Sequence, residues 1–378
     1  PPAEGSPPSH PGDDERRSSN NPTPCTALVE EGVRAAASGR KTEALDALDA
    51  AASLCPTSSA PLREAAGVFA LEENWAEASR LAEAAVARNP SDEHAWRILA
   101  TARYVRGDPD GALAAWNAIG EPTIDLVNVS GLDRTRYSAV TATLGLTPGQ
   151  VLTARALAAA NKRLEDLPAA ETSRVIYRPL GNGRANVEAV VIEQPRLPTS
   201  RLEIASAAVH LATDRTLLVG AANPTGGGDL LLLSWRWWER RPRVEVSYRA
   251  PSRIGVWQVS AYGERQTYRG VAGDTIERRK GGSLSVSHWI DSLTRVEASA
   301  GVDAWGSRGR TATPSTALEQ RAFDDRLGVR GGVSVLTGSF NAWTWSAGAS
   351  ARTRTRHEGT VLLTQTGLSA AAGAAPLA

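Results

Sequence analysis

From residue 202 onward the chain alternates with a period of two, and it sustains that alternation over segments of about ten residues. Val244, Val246 and Tyr248 interleave with Arg243, Glu245, Ser247 and Arg249. Val296, Ala298, Ala300, Val302 and Ala304 interleave with Arg295, Glu297, Ser299, Gly301 and Asp303. The pattern recurs around Leu327–Val335 and around Trp343–Ala351. Successive side chains on a strand point to opposite faces, so each segment carries one apolar and one polar face. A soluble sandwich needs strands of only ~5–6 residues, whereas ~9–11 residues cross a bilayer when tilted. The lengths therefore predict an antiparallel transmembrane sheet of about nine strands, at roughly 202–211, 229–238, 242–249, 255–265, 277–289, 294–304, 326–336, 340–354 and 359–369. Short turns such as Arg240-Arg-Pro242 and Ala250-Pro-Ser252 contrast with a long polar loop predicted over 306–325, as in an outer-membrane barrel. Eight of the eleven tryptophans follow residue 230: Trp235, Trp237, Trp238, Trp257, Trp289, Trp305, Trp343 and Trp345. Most fall near predicted strand ends, where an amphipathic ring prefers the membrane–water interface.

A different period governs the amino end. Residues 1–24 are polar and proline-rich, as expected of a disordered leader. From Cys25 to Gly120 small residues recur every 34 positions, at Ala44, Ala78 and Ala112 and at Gly32, Ala66 and Ala100. Leu28, Leu62 and Trp96 share that spacing, as do Leu48, Ala82 and Trp116. A 34-residue helix–turn–helix period with small residues where paired helices cross resembles a tetratricopeptide repeat (TPR), here in three units. Such an array is either a concave docking surface or a rigid spacer. Its groove charges, Arg63, Glu64, Arg97 and Arg103, read as ordinary solvated residues. Cys25 and Cys55 fall at adjoining ends of the first unit. A disulfide and a pair of small buried residues both fit there.

Between these regions, residues 121–198 read strand, helix, helix, strand, strand. Ile124-Asp-Leu-Val-Asn-Val-Ser-Gly-Leu132 is followed by helices over 137–144 and 153–164, then strands over 173–179 and 186–193. Gly131-Leu132, Thr147-Pro-Gly149, Leu164-Glu-Asp-Leu167 and a terminal Val191-Ile-Glu-Gln-Pro195 mark the joints. This order closely resembles a polypeptide-transport-associated (POTRA) domain, the periplasmic module preceding the outer-membrane barrel in the BamA/TamA family. Asn223-Pro224, Gly226-Gly-Gly-Asp229 and the strand after them look like the start of the second barrel strand in that family.

The resemblance implies a multidomain chain: an all-α TPR superhelix (25–120), an α+β POTRA unit (121–198, βααββ) and the N-terminal part of an antiparallel transmembrane β-barrel (199–378). It implies a bacterial outer-membrane protein, with residues 1–198 in the periplasm, that inserts or translocates polypeptides. Its partners would be polypeptide clients, periplasmic accessory proteins and outer-membrane lipid. The POTRA sheet would take a client strand at its edge. Val175, Ile176 and Tyr177, with Val187, Val190 and Val191, are the candidates nearest that edge. The first barrel strand, with Ile204, Ala205, Ser206, Ala207, Ala208 and Val209, would form one side of a weak seam. Nine is an odd strand count and the last residues lack a terminal aromatic strand, so the barrel is expected to be incomplete here. Val329-Arg-Gly331 matches a family tripeptide but falls inside an alternating strand.

Other classes find little support. The five histidines are scattered, and no phosphate loop or nucleophile elbow is present, so neither an enzyme nor a cofactor is expected. A net charge of +1 gives no bias toward nucleic acid, and no small-molecule substrate suggests itself. His288, on the Leu284/Val286/Ile290 face, is out of place for a lipid-facing position. Arg243, Glu245, Arg295 and Glu297 read as a cross-strand charge ladder. A polysaccharide-export porin with periplasmic TPRs is the alternative, but it would lack the unit at 121–198.

Overall fold

The computed structural model describes residues 23–195, 205, 208, 209, 211–270, 273–323, 325–353 and 363–373. Positions 1–22, Ile204, Ser206 and Ala207 lie outside them. The chain divides into two compact units at Gly120 and Glu121.

The first unit is three helical pairs: α1 (Pro24–Ala37) with α2 (Lys41–Leu54), α3 (Ala60–Leu71) with α4 (Trp75–Arg88), and α5 (Glu93–Val105) with α6 (Pro109–Asn117). Ala44, Ala66, Ala78, Ala100 and Ala112 are fully buried where helices cross. At Gly32 an added Cβ would stand 2.6 Å from Leu48 Cγ, so only glycine fits. Asn74, Asp92 and Asp108 start helices by accepting the N–H of Glu77, Ala95 and Gly111. Cys25 and Cys55 are joined by a disulfide across a Cα–Cα distance of 6.2 Å. Arg63 is not the solvated charge expected of it. It lies 2.6 Å from Glu64 and 3.2 Å from buried Asp92, whose Oδ2 also accepts the Ser59 hydroxyl, tying α3 to the start of α5.

The second unit holds a small mixed sheet and a large antiparallel one. In the small sheet β1 (Thr123–Ser130) lies parallel to β3 (Arg184–Glu193), which runs antiparallel to β2 (Ala170–Leu180). Helices α7 (Tyr137–Leu144) and α8 (Ala154–Glu165) contribute Val140, Leu144, Leu157 and Leu164 to its core, against Ile124, Val127, Val187 and Val191.

The large sheet has ten strands in strict chain order: β4 (Thr216–Ala222), β5 (Leu230–Arg236), β6 (Arg243–Ser252), β7 (Gly255–Gly270), β8 (Gly273–Trp289), β9 (Thr294–Ala304), β10 (Arg310–Ala322), β11 (Leu327–Gly338), β12 (Ala342–Arg352) and β13 (Leu363–Gly373). It is a barrel-type meander with β4 and β13 at its two edges. One face carries rows such as Val219–Leu233–Val246–Ala261 and Ala298–Thr316–Val333–Trp345. The side chains of Leu233, Val246, Val302, Val333 and Trp343 are exposed there. The opposite face carries all the Glu and most of the Arg and Ser positions of β5 to β11. No helix among the described residues is long and apolar enough to cross a membrane, which leaves membrane-crossing strands untouched.

Two strand assignments differ from the sequence reading. No strand occupies the described part of 202–211: Ala205, Ala208, Val209 and residues 211–213 are helical, and the first strand is β4. Alanine is the best helix former, and alternation among small residues carries little weight. Residues 306–325 are not a loop. They hold β10, whose face away from the charges (Ala312, Pro314, Thr316, Leu318) is too weakly apolar to announce itself. With β10 in place, five residues join β9 to β10 and four join β10 to β11, so the long loop predicted over 306–325 disappears; 354–362, between β12 and β13, lie outside the described residues.

Candidate functional site

Strand order decides which residues of the small sheet can meet another chain. β2 pairs only with β3, so it is an edge, and Val175, Ile176 and Tyr177 lie on it. Ile176 is exposed, whereas the Val175 and Tyr177 side chains are buried. Val187, Val190 and Val191 are not near a free edge: β3 is the middle strand, with β1 on one side and β2 on the other. At the other edge, the start of β1 is covered by the segment 149–152, since Ile124 N–H donates to the Gln150 carbonyl and Leu152 N–H to Pro122. Edge β2 carries its own safeguards. The Asn161 side chain on α8 accepts the Val175 N–H at 2.9 Å, and Pro179 lacks an N–H, an edge feature in natural sheets.

The small unit is clasped to the large sheet at the connection between β4 and β5. Glu193, at the end of β3, accepts the backbone N–H groups of Asp133, Arg134 and Thr135 at 3.1, 3.0 and 2.7 Å. Arg134 then donates to the carbonyls of Gln194 and Ala222. Asn223 donates to the Thr135 hydroxyl, and Arg136 reaches the Thr225 carbonyl. Burial would raise the Glu193 carboxyl, but the bonds from Thr135, Arg134 and Asp133 outweigh it and hold the pKa down to about 2. Glycine is obligatory in the clasped loop. Gly228 has φ +80°, and an added Cβ would lie 2.7 Å from Leu167 Cδ1. The Gly-Gly-Gly-Asp229 run is thus the surface on which the small unit sits. Asp229, 1% exposed, holds the loop from within by accepting the Thr225 hydroxyl.

Helix α8 and the residues just beyond it reach the polar face at the neighbouring strand ends. Lys162 pairs with Asp325, and Asp166 accepts the Trp289 indole N–H at 2.9 Å while standing 3.2 Å from Arg295. Arg321 lies 4.7 Å from the Trp289 ring. Trp289 and Trp305 therefore face inward and are buried, unlike an interfacial girdle, whereas Trp235, Trp343 and Trp345 are exposed on the outer face. His288 stands on the apolar face at the end next to the small unit. It is half-buried in a small cavity with Thr143 and Arg163, so its polarity meets protein.

The polar face itself is graded. Near the end away from the small unit, Arg243 and Arg236 pair with Glu264, Arg243 with Glu245, and Arg279 with Asp303. Toward the small unit Arg295 lies 3.9 Å from Glu319, and Glu297 pairs with Arg330 at 2.7 Å. Between them Ser285, Ser299, Ser315, Ser334 and Thr344 stand in register across five strands, β8 to β12. Among the described residues no cluster of His, Cys, Asp and Glu could hold a metal ion. The clasp, the β3 register and the hydroxyl row depend on which residues meet in space; only the charge ladder was visible in the alternation.

No protein-family profile and no curated protein matches the chain. Among solved structures it is similar to BamA from Haemophilus ducreyi lacking POTRA domains 1–3, at 13% identity and TM-score 0.38, over 67% of this chain and 56% of that one. It is also similar to CdiB from Acinetobacter baumannii, at 10% identity and TM-score 0.45, over 68% of this chain and 54% of that one. The helical region is similar to the Sgt2 TPR domain from Aspergillus fumigatus, at 30% identity and TM-score 0.25, over 26% of this chain and 65% of that one. The chain thus spans little more than half the length of either barrel protein.

Proposed function

We propose that this protein works at the bacterial outer membrane as an inserter or translocator of polypeptides, with no bond chemistry. One observation carries the reading: a βααββ unit with an edge strand is clasped to the ends of an antiparallel sheet that is apolar on one face and charged on the other. Unpaired edge groups recruit an extended client by strand addition, and the apolar face sits in lipid. The resulting orientation puts residues 1–198 in the periplasm. There the helical array recruits an accessory protein or client. The edges β4 and β13 are the strands at which the sheet opens to, or is completed by, another strand. This moves the seam from the alanine-rich segment at 204–209 to β4.

A photo-crosslinker at Ile176 in the membrane-embedded protein tests the reading. Adducts with unfolded outer-membrane polypeptides are expected from Ile176 and not from Val140, inside the core. Recovery of the protein outside membranes, or equal adducts from both positions, would refute it.

A further inference from the structure

The outer face of the large sheet is not electrically uniform. Arg265 pairs in register with Arg278, and Lys280 is followed across β9 by Ala304 and then Arg310. These four cations share the face of Val244, Val302 and Trp235, and all four are exposed. Each lies in the part of its strand away from the small unit: Arg265, Arg278 and Lys280 stand five to seven residues from the turn that joins β7 to β8, and Arg310 opens β10. Eight residues of β8 separate His288, at the end beside the small unit, from Lys280: about 26 Å along the strand and, at a tilt of ~40°, about 20 Å of rise, most of the height of an apolar band ~25 Å tall. No Lys or Arg occupies an outward strand position at the other end, among the described residues.

Their counter-charges are engaged elsewhere. Glu264, Glu277 and Asp303 project to the opposite face, where Arg236 and Arg243, Arg308, and Arg279 already neutralise them. Arg265, Arg278, Lys280 and Arg310 have no ion-pair partner among the described residues. Asp274 is the carboxylate on their own face, and it lies beyond them in register with Arg269. Four unneutralised cations beside an apolar belt meet whatever stands at the rim of that belt, and guanidinium groups favour phosphate.

We infer that this cluster binds the phosphates of an anionic lipid headgroup in the leaflet on the side opposite the small unit. The inference rests on the membrane reading above. Cations near an anionic leaflet each strengthen binding on the order of five-fold, and the effect is screened by salt.

The test reconstitutes the full chain into phosphatidylethanolamine vesicles with or without diphosphoryl lipid A, and measures co-purifying lipid by native mass spectrometry. Lipid A should be retained in preference to phosphatidylethanolamine, and less so as salt rises. The variant Arg265→Gln, Arg278→Gln, Lys280→Gln, Arg310→Gln should lose at least ten-fold of that preference. Replacing the three arginines by lysine should keep it, as should Arg330→Gln on the opposite face. Equal retention of both lipids, or an unchanged preference in the four-fold variant, would overturn the lipid site while leaving the membrane reading intact. Failure to insert into either vesicle would overturn both.

Discussion

Glu193 is the single side chain on which the clasp depends, and replacing it by glutamine tests that directly. Its carboxylate is almost wholly inaccessible and receives three backbone N–H groups from residues 133–135, with the Arg134 guanidinium 3.3 Å away. The pKa falls from 4.5 to about 2, and at ~1.4 kcal/mol per unit the folded arrangement gains about 3 kcal/mol from the charge. Because the folded value lies below the unfolded one, this stabilisation is complete above pH 4.5 and disappears as pH falls toward 2. In Glu193→Gln the charge is absent at every pH. Amide exchange of residues 133–135, read by mass spectrometry at neutral pH, should then accelerate about a hundredfold. Wild-type protection, corrected for intrinsic exchange, should decline only below pH 4.5. The reasoning fails if Glu193→Gln exchanges like the wild type, or if wild-type protection is insensitive to acid.

Gly228→Ala places a Cβ against Leu167 at φ +80° and should weaken docking by about 1–3 kcal/mol, seen as faster proteolysis within 223–229. Reducing the Cys25–Cys55 bond, whose partners are 30 residues apart, should cost the helical unit about 3–4 kcal/mol, read as a lower urea midpoint in helical circular dichroism. Leu233→Arg, on the apolar face, should destabilise the vesicle-embedded sheet by about 2–4 kcal/mol in urea titrations, while Ser234→Arg, on the polar face, should cost far less.

The parts of the fold legible in sequence are those where one period dominates. Residues 123–193 could be read because joints such as Gly131-Leu132 and Thr147-Pro-Gly149 punctuate them clearly, both Gly131 and Gly149 having positive φ. Strands β6, β9 and β12 alternate branched or aromatic residues with charges or hydroxyls. β4 could not be read, because Leu217, Leu218 and Val219 are apolar on both faces of an edge strand. β10 hid for the opposite reason, being small and polar on both. The order β1-β3-β2 was inaccessible, since nothing local tells a strand that a parallel partner will arrive from sixty residues earlier. The clasp shares that difficulty: Glu193 and Asn223 look like surface residues until residues 133–136 are laid between them.

The hydroxyl row on the polar face has a consequence for anything that moves along it. Ser299 and Ser315, and Ser334 and Thr344, satisfy one another at 2.5 and 2.6 Å, so their polarity is spent sideways within the sheet. They project only two or three heavy atoms and carry no charge. Under the proposed translocating role, a peptide moving along this stretch would meet, among the described residues of the row, no fixed ion to arrest a side chain, whereas the salt-bridged groups on either side could grip one. Passage would then be indifferent to sequence in the middle and selective only at the ends, a low-friction profile suited to many different chains.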